Sequence, residues 1–411
     1  MKKLTLLFFV AVIIFAGCSK NKNNKPDDGN KPPVETPADT LLTLNLANED
    51  FHFYSSTYFV LTDETGEILN EVKYVSGTKL LKITSLKPYK KERFNFYEID
   101  VSADATVTPS VIKGFLQVKK GSHYLDFSKR LLQKPVHELK YHLKNPVYFD
   151  QLDIRGDQYG YSLGKLADTV FSLYPGLTDD GKLYVHLLIN ENHHLYNFFD
   201  VTKGATDFNI DMTKINKTPL VKSITSPGSN LIVEVNARAD KNYYSSYYLG
   251  LLSSKGNQVN YYYPQEPFAE YITKIRYSLD EYNYYFTKNT TVIPDKADTY
   301  SAVINTPDGT LTTFKPSFSG PVDYYTAYFA SFDTPGFSVQ LSGPAAGSAV
   351  NIKFPDFSKY PEIKNVDLTK QILQNVSVFK DSAFDETYFP YKTDGNPVYP
   401  NLDLRSVSRN Y

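Results

Sequence analysis

One pair of histidines has a spacing close to that of a zinc site. His137 and Glu138 are followed by His142. A helical zinc-protease motif needs its two histidines four residues apart, because only that spacing places both imidazoles on one helix face. The two histidines here are five residues apart, so they do not share a face. We interpret them as solvated polar residues.

A second histidine group lies further along the chain. His186 is on the polar side of an alternating run, and residues 190–192 could turn the chain so that His193 and His194 approach it. A zinc site takes three or four ligands and partners that orient them, and the sequence nominates no further ligand. We therefore predict no metal and no cofactor.

The motifs of common catalytic sites are missing from the sequence. There is no Gly-x-Ser-x-Gly nucleophile elbow, no glycine-rich phosphate loop and no calcium loop of alternating aspartates. Carboxylates are plentiful, but a glycosidase pair is defined by its separation in space, which a sequence does not supply. We predict no catalytic residues, and an envelope hydrolase with an unmarked carboxylate pair stays open as the alternative.

The only cysteine of the chain is Cys18, and it ends a leader. Lys2 and Lys3 precede an uncharged apolar run over 4–16, which small residues close. The run is shorter than the roughly 20 residues that a helix needs to cross a bilayer. The order of charged, apolar and small residues is that of a cleaved secretory signal peptide.

The residues at the end of the leader, Phe15-Ala16-Gly17-Cys18, resemble the lipobox of bacterial lipoprotein precursors. The resemblance implies that Cys18 becomes the mature N-terminus and carries acyl chains. Each buried methylene contributes about 0.8 kcal/mol, and two or more chains give a stable anchor. It also implies a bilayer partner and a place in the cell envelope, on the periplasmic or surface face of the outer membrane. The alternative is a soluble secretory signal with a coincidental cysteine.

Composition and charge exclude other classes of protein. The 411 residues include 44 Lys and Arg against 45 Asp and Glu, so no basic excess indicates nucleic-acid binding. With Cys18 lipidated, no cysteine remains for a disulfide. The domains must then be stabilised by their cores alone, which favours modules of nearly a hundred residues.

Tyrosine dominates the aromatic composition, with 34 Tyr and 27 Phe but no Trp. Tyrosines cluster in the third quarter of the chain, and alternation along a strand requires several rings to face outward. An exposed Tyr offers a flat ring and a hydroxyl to a sugar or a protein partner. The candidate ligand-binding residues are Tyr247, Tyr262, Tyr284 and Tyr325. The alternative is that these tyrosines are only strand formers.

Period-two alternation predicts an all-β protein. Apolar residues alternate with polar ones over 42–46, 183–190, 231–236 and 350–354, and turn sequences lie between such runs. Short half-exposed antiparallel strands without long intervening helices favour β-sandwiches. A recurring Asp-apolar-Ser/Thr-Lys tetrapeptide is expected to start turns, because Asp and Thr side chains bond nearby backbone amides.

Two internal similarities predict a duplicated pair of modules. Residues 53–66 match 243–256 at six of fourteen positions, and 198–214 match 354–370 at seven of seventeen. Chance similarity among tyrosine-rich strands is the alternative. The predicted segments are a signal peptide at 1–17, lipidated Cys18 with a disordered linker at 18–40, β-sandwich module A at 41–142, module B at 143–225, an A-like repeat at 228–320, a B-like repeat at 321–380 and a C-terminal tail or edge segment at 381–411.

This layout is similar to that of surface lipoproteins with tandem immunoglobulin-like modules that assist glycan uptake. The resemblance covers the leader specifically and the remainder in general architecture. It implies a membrane-anchored, noncatalytic binding, adhesion or scaffold protein, with a glycan or an envelope protein as partner.

Overall fold

A computed structural model describes most of the chain after the linker. Cys18, the leader and nearly all of the linker lie outside the described residues. No helix within the described part is long and apolar enough to cross a membrane. The described residues are 39–46, 54–102, 110–124, 134–164, 175–179, 181–190, 193–331, 336–345, 353–360, 363, 366–387 and 402–411.

The protein is all-β, and its described residues contain no α-helix. Among the described residues, four short 3-10 turns connect strands, at Met212–Lys214, Leu311–Thr313, Phe357–Lys359 and Leu368–Lys370. The strands are β1 Thr40–Asn45, β2 Ser56–Thr62, β3 Ile68–Lys73, β4 Leu80–Thr84, β5 Arg93–Val101, β6 Ser110–Lys119, β7 Gly121–Tyr124, β8 Val136–Glu138, β9 Lys140–Lys144, β10 Gln151–Arg155, β11 Gly160–Gly164, β12 Gly176–Thr178, β13 Lys182–Asn190, β14 His193–Asp200, β15 Asp207–Asp211, β16 Leu220–Thr225, β17 Ser229–Arg238, β18 Tyr247–Ser254, β19 Gln258–Tyr263, β20 Glu270–Leu279, β21 Tyr282–Thr290, β22 Val303–Ile304, β23 Phe318–Ser319, β24 Tyr324–Ala330, β25 Phe337–Pro344, β26 Ile372–Asp381 and β27 Asp403–Asn410.

One pairing pattern of four antiparallel strands occurs four times along the chain. The strand orders are β3-β2-β5-β6, β11-β10-β13-β14, β18-β17-β20-β21 and β25-β24-β26-β27. In each group, two hairpins are joined side by side through one strand of each. The first three groups also have a second antiparallel pair, β1 with β4, β8 with β12 and β16 with β19. The described chain therefore repeats one four-stranded pairing pattern within an all-β, β-sandwich-like structure.

Three of the four groups are fused into a single twelve-stranded sheet. Antiparallel pairing of β21 with β27 joins the third group to the fourth, and parallel pairing of β25 with β6 joins the fourth to the first. Residues Ala38–Tyr411 form one unit in which this sheet crosses the predicted module boundaries. Those boundaries themselves stay predictions.

The C-terminal strand lies inside the sheet. We expected residues 381–411 to form a tail or an edge segment, but β27 pairs with β21 on one side and with β26 on the other. Its Leu404 and Val407, on opposite faces of the strand, are both buried, which the surrounding prolines and polar residues of the sequence did not indicate. The end of the chain is therefore the element that links the third and fourth groups.

Three hydrophobic cores lie between the layers. One core contains Leu42, Leu44 and Phe59, between the pair β1 and β4 and one face of the first group. A second contains Leu152 and Val185, inside the second group. The largest core continues along the other face of the twelve-stranded sheet. In the third and fourth groups, we call the sheet face opposite that core the outer face.

The repeat in the structure is one strand out of step with the similarity in the sequence. The sequence alignment places β2 over β18, but β2 is a central strand that pairs with β3 and β5, whereas β18 pairs only with β17. By its pairing, β2 corresponds to β17. Tyr-Ser-rich strands resemble one another locally, so sequence similarity did not identify the equivalent strand.

Local predictions agree with the structure where turns and alternation are concerned. Asp211 and Asp367 each accept bonds from the backbone and hydroxyl of the threonine two residues on and start a 3-10 turn. Gly66 closes the turn from β2 to β3 with φ of 83°, and a side chain there would meet the Phe354 carbonyl oxygen at 2.8 Å. The alternating run predicted at 350–354 is not a strand in its described part, Lys353 and Phe354.

Candidate functional site

The second histidine group does come together, with a carboxylate that the sequence did not nominate. β10 pairs with β13 so that Asp153 lies opposite His186, and β14 brings His194 to the neighbouring position. Asp153 Oδ2 lies 3.1 Å from His186 Nδ1, and His186 Nε2 lies 3.0 Å from His194 Nδ1. The three side chains form a hydrogen-bonded chain across three strands.

The two imidazole rings are nearly coplanar and meet end to end. Their planes differ by 17° with centroids 5.2 Å apart, which places the bonded nitrogens between the rings. An ionised carboxylate only accepts, so His186 Nδ1 donates to Asp153. One proton then occupies the bond between the imidazoles. Two imidazolium rings would face N–H against N–H, so the arrangement accommodates at most one cation.

Several side chains donate hydrogen bonds to Asp153 and hold it in place. Burial alone would raise the pKa of Asp153, but hydrogen bonds from His186 and Ser162 outweigh it and lower the pKa to about 2. Gln151 Nε2 also donates to the carboxylate at 3.1 Å, and Arg155 Nη2 lies 3.3 Å away. The carboxylate is therefore ionised and orients His186.

Tyrosines of the third group pack against this series of hydrogen-bonded side chains. The ring of Tyr262 stacks on His194 with centroids 3.7 Å apart and planes 18° apart. The Arg155 guanidinium lies 5.0 Å from the centroid of Tyr248. We call Asp153, Arg155, His186, His194, Tyr248 and Tyr262 the histidine–tyrosine cluster. It joins the second group to the third.

Acid is expected to destabilise the protein through Asp153. Its folded pKa of about 2 lies below the usual 3.8, so its contribution is complete above the unfolded value and is lost as the pH falls through the folded one. We expect a loss of about 2 kcal/mol between about pH 4 and about pH 2. Urea unfolding of wild type and Asp153→Asn across this range measures it.

The matched control for this acid effect is Asp207→Asn. Asp207 also faces a histidine, with Oδ1 3.1 Å from His142 Nε2, but its side chain is 61% exposed. The Asp207 variant should retain the wild-type pH dependence, and the Asp153 variant should lack part of it. Parallel curves for wild type and Asp153→Asn would contradict the assignment.

The geometry does not resemble a metal site. The bonded nitrogens of His186 and His194 point at each other, and His193 is exposed and pairs with Asn190 at the start of β14. The described residues contain no group of three or more His, Cys, Asp or Glu side chains able to hold a metal.

The two histidines of the first group, His137 and His142, do not form a common site. His137 and His142 lie on β8 and β9 and approach different carboxylates, Asp179 at 3.7 Å and Asp207 at 3.1 Å.

The four predicted tyrosines have different environments. Tyr247 is 4% exposed and accepts a bond from the Lys182 backbone at 2.8 Å, and Tyr325 is 2% exposed. Neither adds to an exposed surface. Tyr262 and Tyr284 are half-buried. Tyr284 stacks on Tyr277, with centroids 5.0 Å apart. Contact of these rings with a ligand stays a prediction. Of the four, Tyr262 is the ring that belongs to the histidine–tyrosine cluster, where it stacks on His194.

A carboxylate pair converges in the first group. Glu98 and Asp100 lie on the same face of β5, and Lys113 Nζ contacts both, at 2.6 Å and 3.0 Å. Burial, then the Glu98 charge, raise the pKa of Asp100 well above its usual value. Both carboxylates are buried, so no exposed surface brings a substrate to the pair.

Sequence analysis missed Asp153, Arg155 and the Glu98–Asp100 pair. Asp153 and Arg155 alternate with Leu152 and Ile154 on a short strand, a pattern common to any half-exposed strand. The only usable signal was a charged residue on the solvent-facing side of that strand.

Compared with known proteins, the chain matches no family model and no curated protein.

Proposed function

We propose that this protein is a noncatalytic binding or scaffold protein of the bacterial cell envelope, attached to the outer membrane through acylated Cys18. The support for the anchor is the leader and the lipobox resemblance of residues 15–18. Acylation at one cysteine holds the chain at a bilayer without a membrane-spanning segment. The partner that we propose is a glycan or another envelope component.

The observation that carries the binding function is the twelve-stranded sheet. Strands lie about 4.8 Å apart, so this sheet is roughly 50 Å wide. Hydrogen bonds run from strand to strand across three of the four groups, which makes them one continuous element. A broad sheet with an accessible face suits an extended partner better than a small molecule, which needs a concave pocket.

The proposal includes tandem immunoglobulin-like modules. It is supported by the repeated pairing of two hairpins with a separate strand pair, β1 with β4, β8 with β12 and β16 with β19. Two packed antiparallel layers of this kind are the architecture of immunoglobulin-like sandwiches. In this proposal the modules pair edge to edge.

The alternative is an envelope hydrolase that uses a carboxylate pair. Glu98 and Asp100 are one described pair of converging carboxylates, and Lys113 lies against both. Their enclosure in the sheet favours a structural role. Binding without turnover is therefore the function that we carry forward.

Removing the acylated thiol should release the protein. In cells that express the full chain, Cys18→Ala is expected to move the protein from the membrane fraction to the soluble fraction, because the acyl chains supply the anchor. Ser19→Ala is the matched control, and it should leave the protein in the membrane fraction. Metabolic labelling with a palmitate analogue should mark wild type and Ser19→Ala only. Retention of unlabelled Cys18→Ala in the membrane fraction would refute the anchor.

A further inference from the structure

Six neighbouring strands of the twelve-stranded sheet place small polar residues opposite one another on the outer face. The strands are β20, β21, β27, β26, β24 and β25, in that order. At the usual spacing the six residues extend over about 24 Å. We call this set the hydroxyl row, and its members are Ser278, Asn283, Ser408, Ser377, Thr326 and Ser342.

The hydroxyls of the row are oriented by their neighbours. Ser278 Oγ donates to Asn283 Oδ1 at 2.9 Å, and Ser377 Oγ donates to Asn375 Oδ1 at 2.9 Å. A hydroxyl that has used its proton retains acceptor lone pairs. The row therefore presents oxygen acceptors, which suit a ligand that carries many hydroxyl donors.

Aromatic residues lie on one side of the row, two residues further along each strand. Tyr285 on β21 and Phe379 on β26 are on the same face as the row. Phe379 stacks on Tyr324 with centroids 4.6 Å apart and planes 6° apart. The faces of these rings are already in contact, because Tyr324 is 4% exposed and also stacks on Phe384, and the Arg276 guanidinium lies 5.1 Å from the centroid of Tyr285. This line therefore forms a packed border of the row.

Amides and one further tyrosine lie on the other side of the row. Asn375, Tyr328 and Gln340 are opposite one another on β26, β24 and β25. Tyr328 is 44% exposed, which makes its ring the most accessible aromatic group beside the row. The hydroxyl row thus lies between two lines of residues that differ in chemistry.

Charge decides which kind of polymer fits this surface. No residue of the hydroxyl row is charged, and the aromatic and amide residues named beside it are also neutral. The exposed Arg276 lies two residues before Ser278 on the same face. An anionic polymer would find this one cation at the end of the row and no charge among the row's own residues. An apolar partner would strip water from the hydroxyls without replacing their hydrogen bonds. A neutral polyhydroxylated chain satisfies both requirements.

We propose that the hydroxyl row binds a linear neutral polysaccharide, which lies across the strands with a ring face toward Tyr328. This inference rests on the proposed binding function and specifies its ligand class and site. Ser342 is buried next to Phe115 of the first group, so the accessible part of the row begins at Thr326 and extends toward Ser278. Affinity should rise with chain length until the row is filled.

Calorimetric titration with defined oligosaccharides tests the site. The probes are linear β-1,4-glucose, α-1,4-glucose and β-1,4-mannose oligomers of increasing length, added to the acyl-free mature chain and, in vesicles, to the acylated chain. Ser377→Lys places a long cation in the middle of the row and should weaken binding at least about tenfold. Tyr328→Ala should weaken it about fivefold through loss of one ring contact.

Matched controls separate this site from other surfaces. Ser223→Lys changes an exposed serine on β16, and Tyr148→Ala changes a tyrosine that is 65% exposed in the second group. Both should bind as wild type does. Binding that survives Ser377→Lys and Tyr328→Ala but is lost in Tyr262→Ala would refute the row and keep the glycan function. No binding of any probe by the folded wild type would refute both.

Discussion

Replacing Arg238 with methionine is expected to destabilise the protein by about 3 to 5 kcal/mol. Arg238 is 0% exposed, and its Nη1 donates to Glu270 Oε2 at 2.8 Å across the pair of β17 and β20. Burial lowers the pKa of Arg238, and the Glu270 charge opposes that shift. Without the guanidinium, the Glu270 carboxylate would remain buried and unpaired.

The double variant distinguishes an isolated charge from lost packing. Arg238→Met with Glu270→Met removes both charges and keeps volume, so it should recover most of the loss, because a buried ion pair is often no better than apolar residues of similar size. Nε and Nη2 of Arg238 have no acceptor among the described residues, which makes the pair weaker than a fully bonded one.

Urea unfolding measures the loss in these variants, provided that the free energy of unfolding falls with urea concentration at the same slope as in wild type. Lys274→Met is a matched control, because Lys274 also bonds a glutamate across the same two strands, at 2.9 Å, but at a more exposed position. Its loss should be smaller. A single Arg238→Met variant within about 1 kcal/mol of wild type would show that Glu270 is solvated rather than buried.

The second large effect is expected at Lys113. Lys113 Nζ contacts Glu98 and Asp100, whose exposed fractions are 3% and 0%. Burial would lower the pKa of Lys113, but the two carboxylates outweigh burial and raise it. Lys113→Met would leave two neighbouring carboxylates without a cation, and we expect a loss of about 3 kcal/mol.

Asp100→Asn is the informative partner of that variant. It removes one of two like charges and keeps an oxygen for the bond from Thr57 Oγ1, which is 2.8 Å from Asp100 Oδ1. Asp100→Asn should therefore cost much less than Lys113→Met, and it should also reduce the loss when the two are combined. Additive losses in the double variant, measured by urea unfolding, would mean that Lys113 does not neutralise Asp100.

The pH dependence of Asp100 has the opposite sign to that of Asp153. The pKa of Asp100 is raised in the folded protein, so folding favours its protonated form and its contribution weakens as the pH rises above the unfolded value. Asp153, with its lowered pKa, contributes fully above its unfolded value and loses that contribution as the pH falls through its folded value. The two carboxylates therefore set opposite acid responses in the first and second groups.

Alternation and turn chemistry were determined by the sequence alone. Leu42 and Leu44, and likewise Val233 and Val235, are buried on strands because side chains alternate between two faces whatever the partner strand is. Asp211 starts its turn through bonds to residues two positions away. These features depend on neighbours in the chain, so an all-β protein could be predicted.

Tertiary structure alone decided which edges join and which side chains meet. The pairing of β6 with β25 and the place of β27 depend on contacts between distant parts of the chain. The register of β10 against β13 brings Asp153 to His186, and a shift by one residue would turn the two side chains to opposite faces. Tyr247 is buried and Tyr262 is half-buried because different parts of the fold cover their two strands. The sequence around a tyrosine does not show which sheet will cover it.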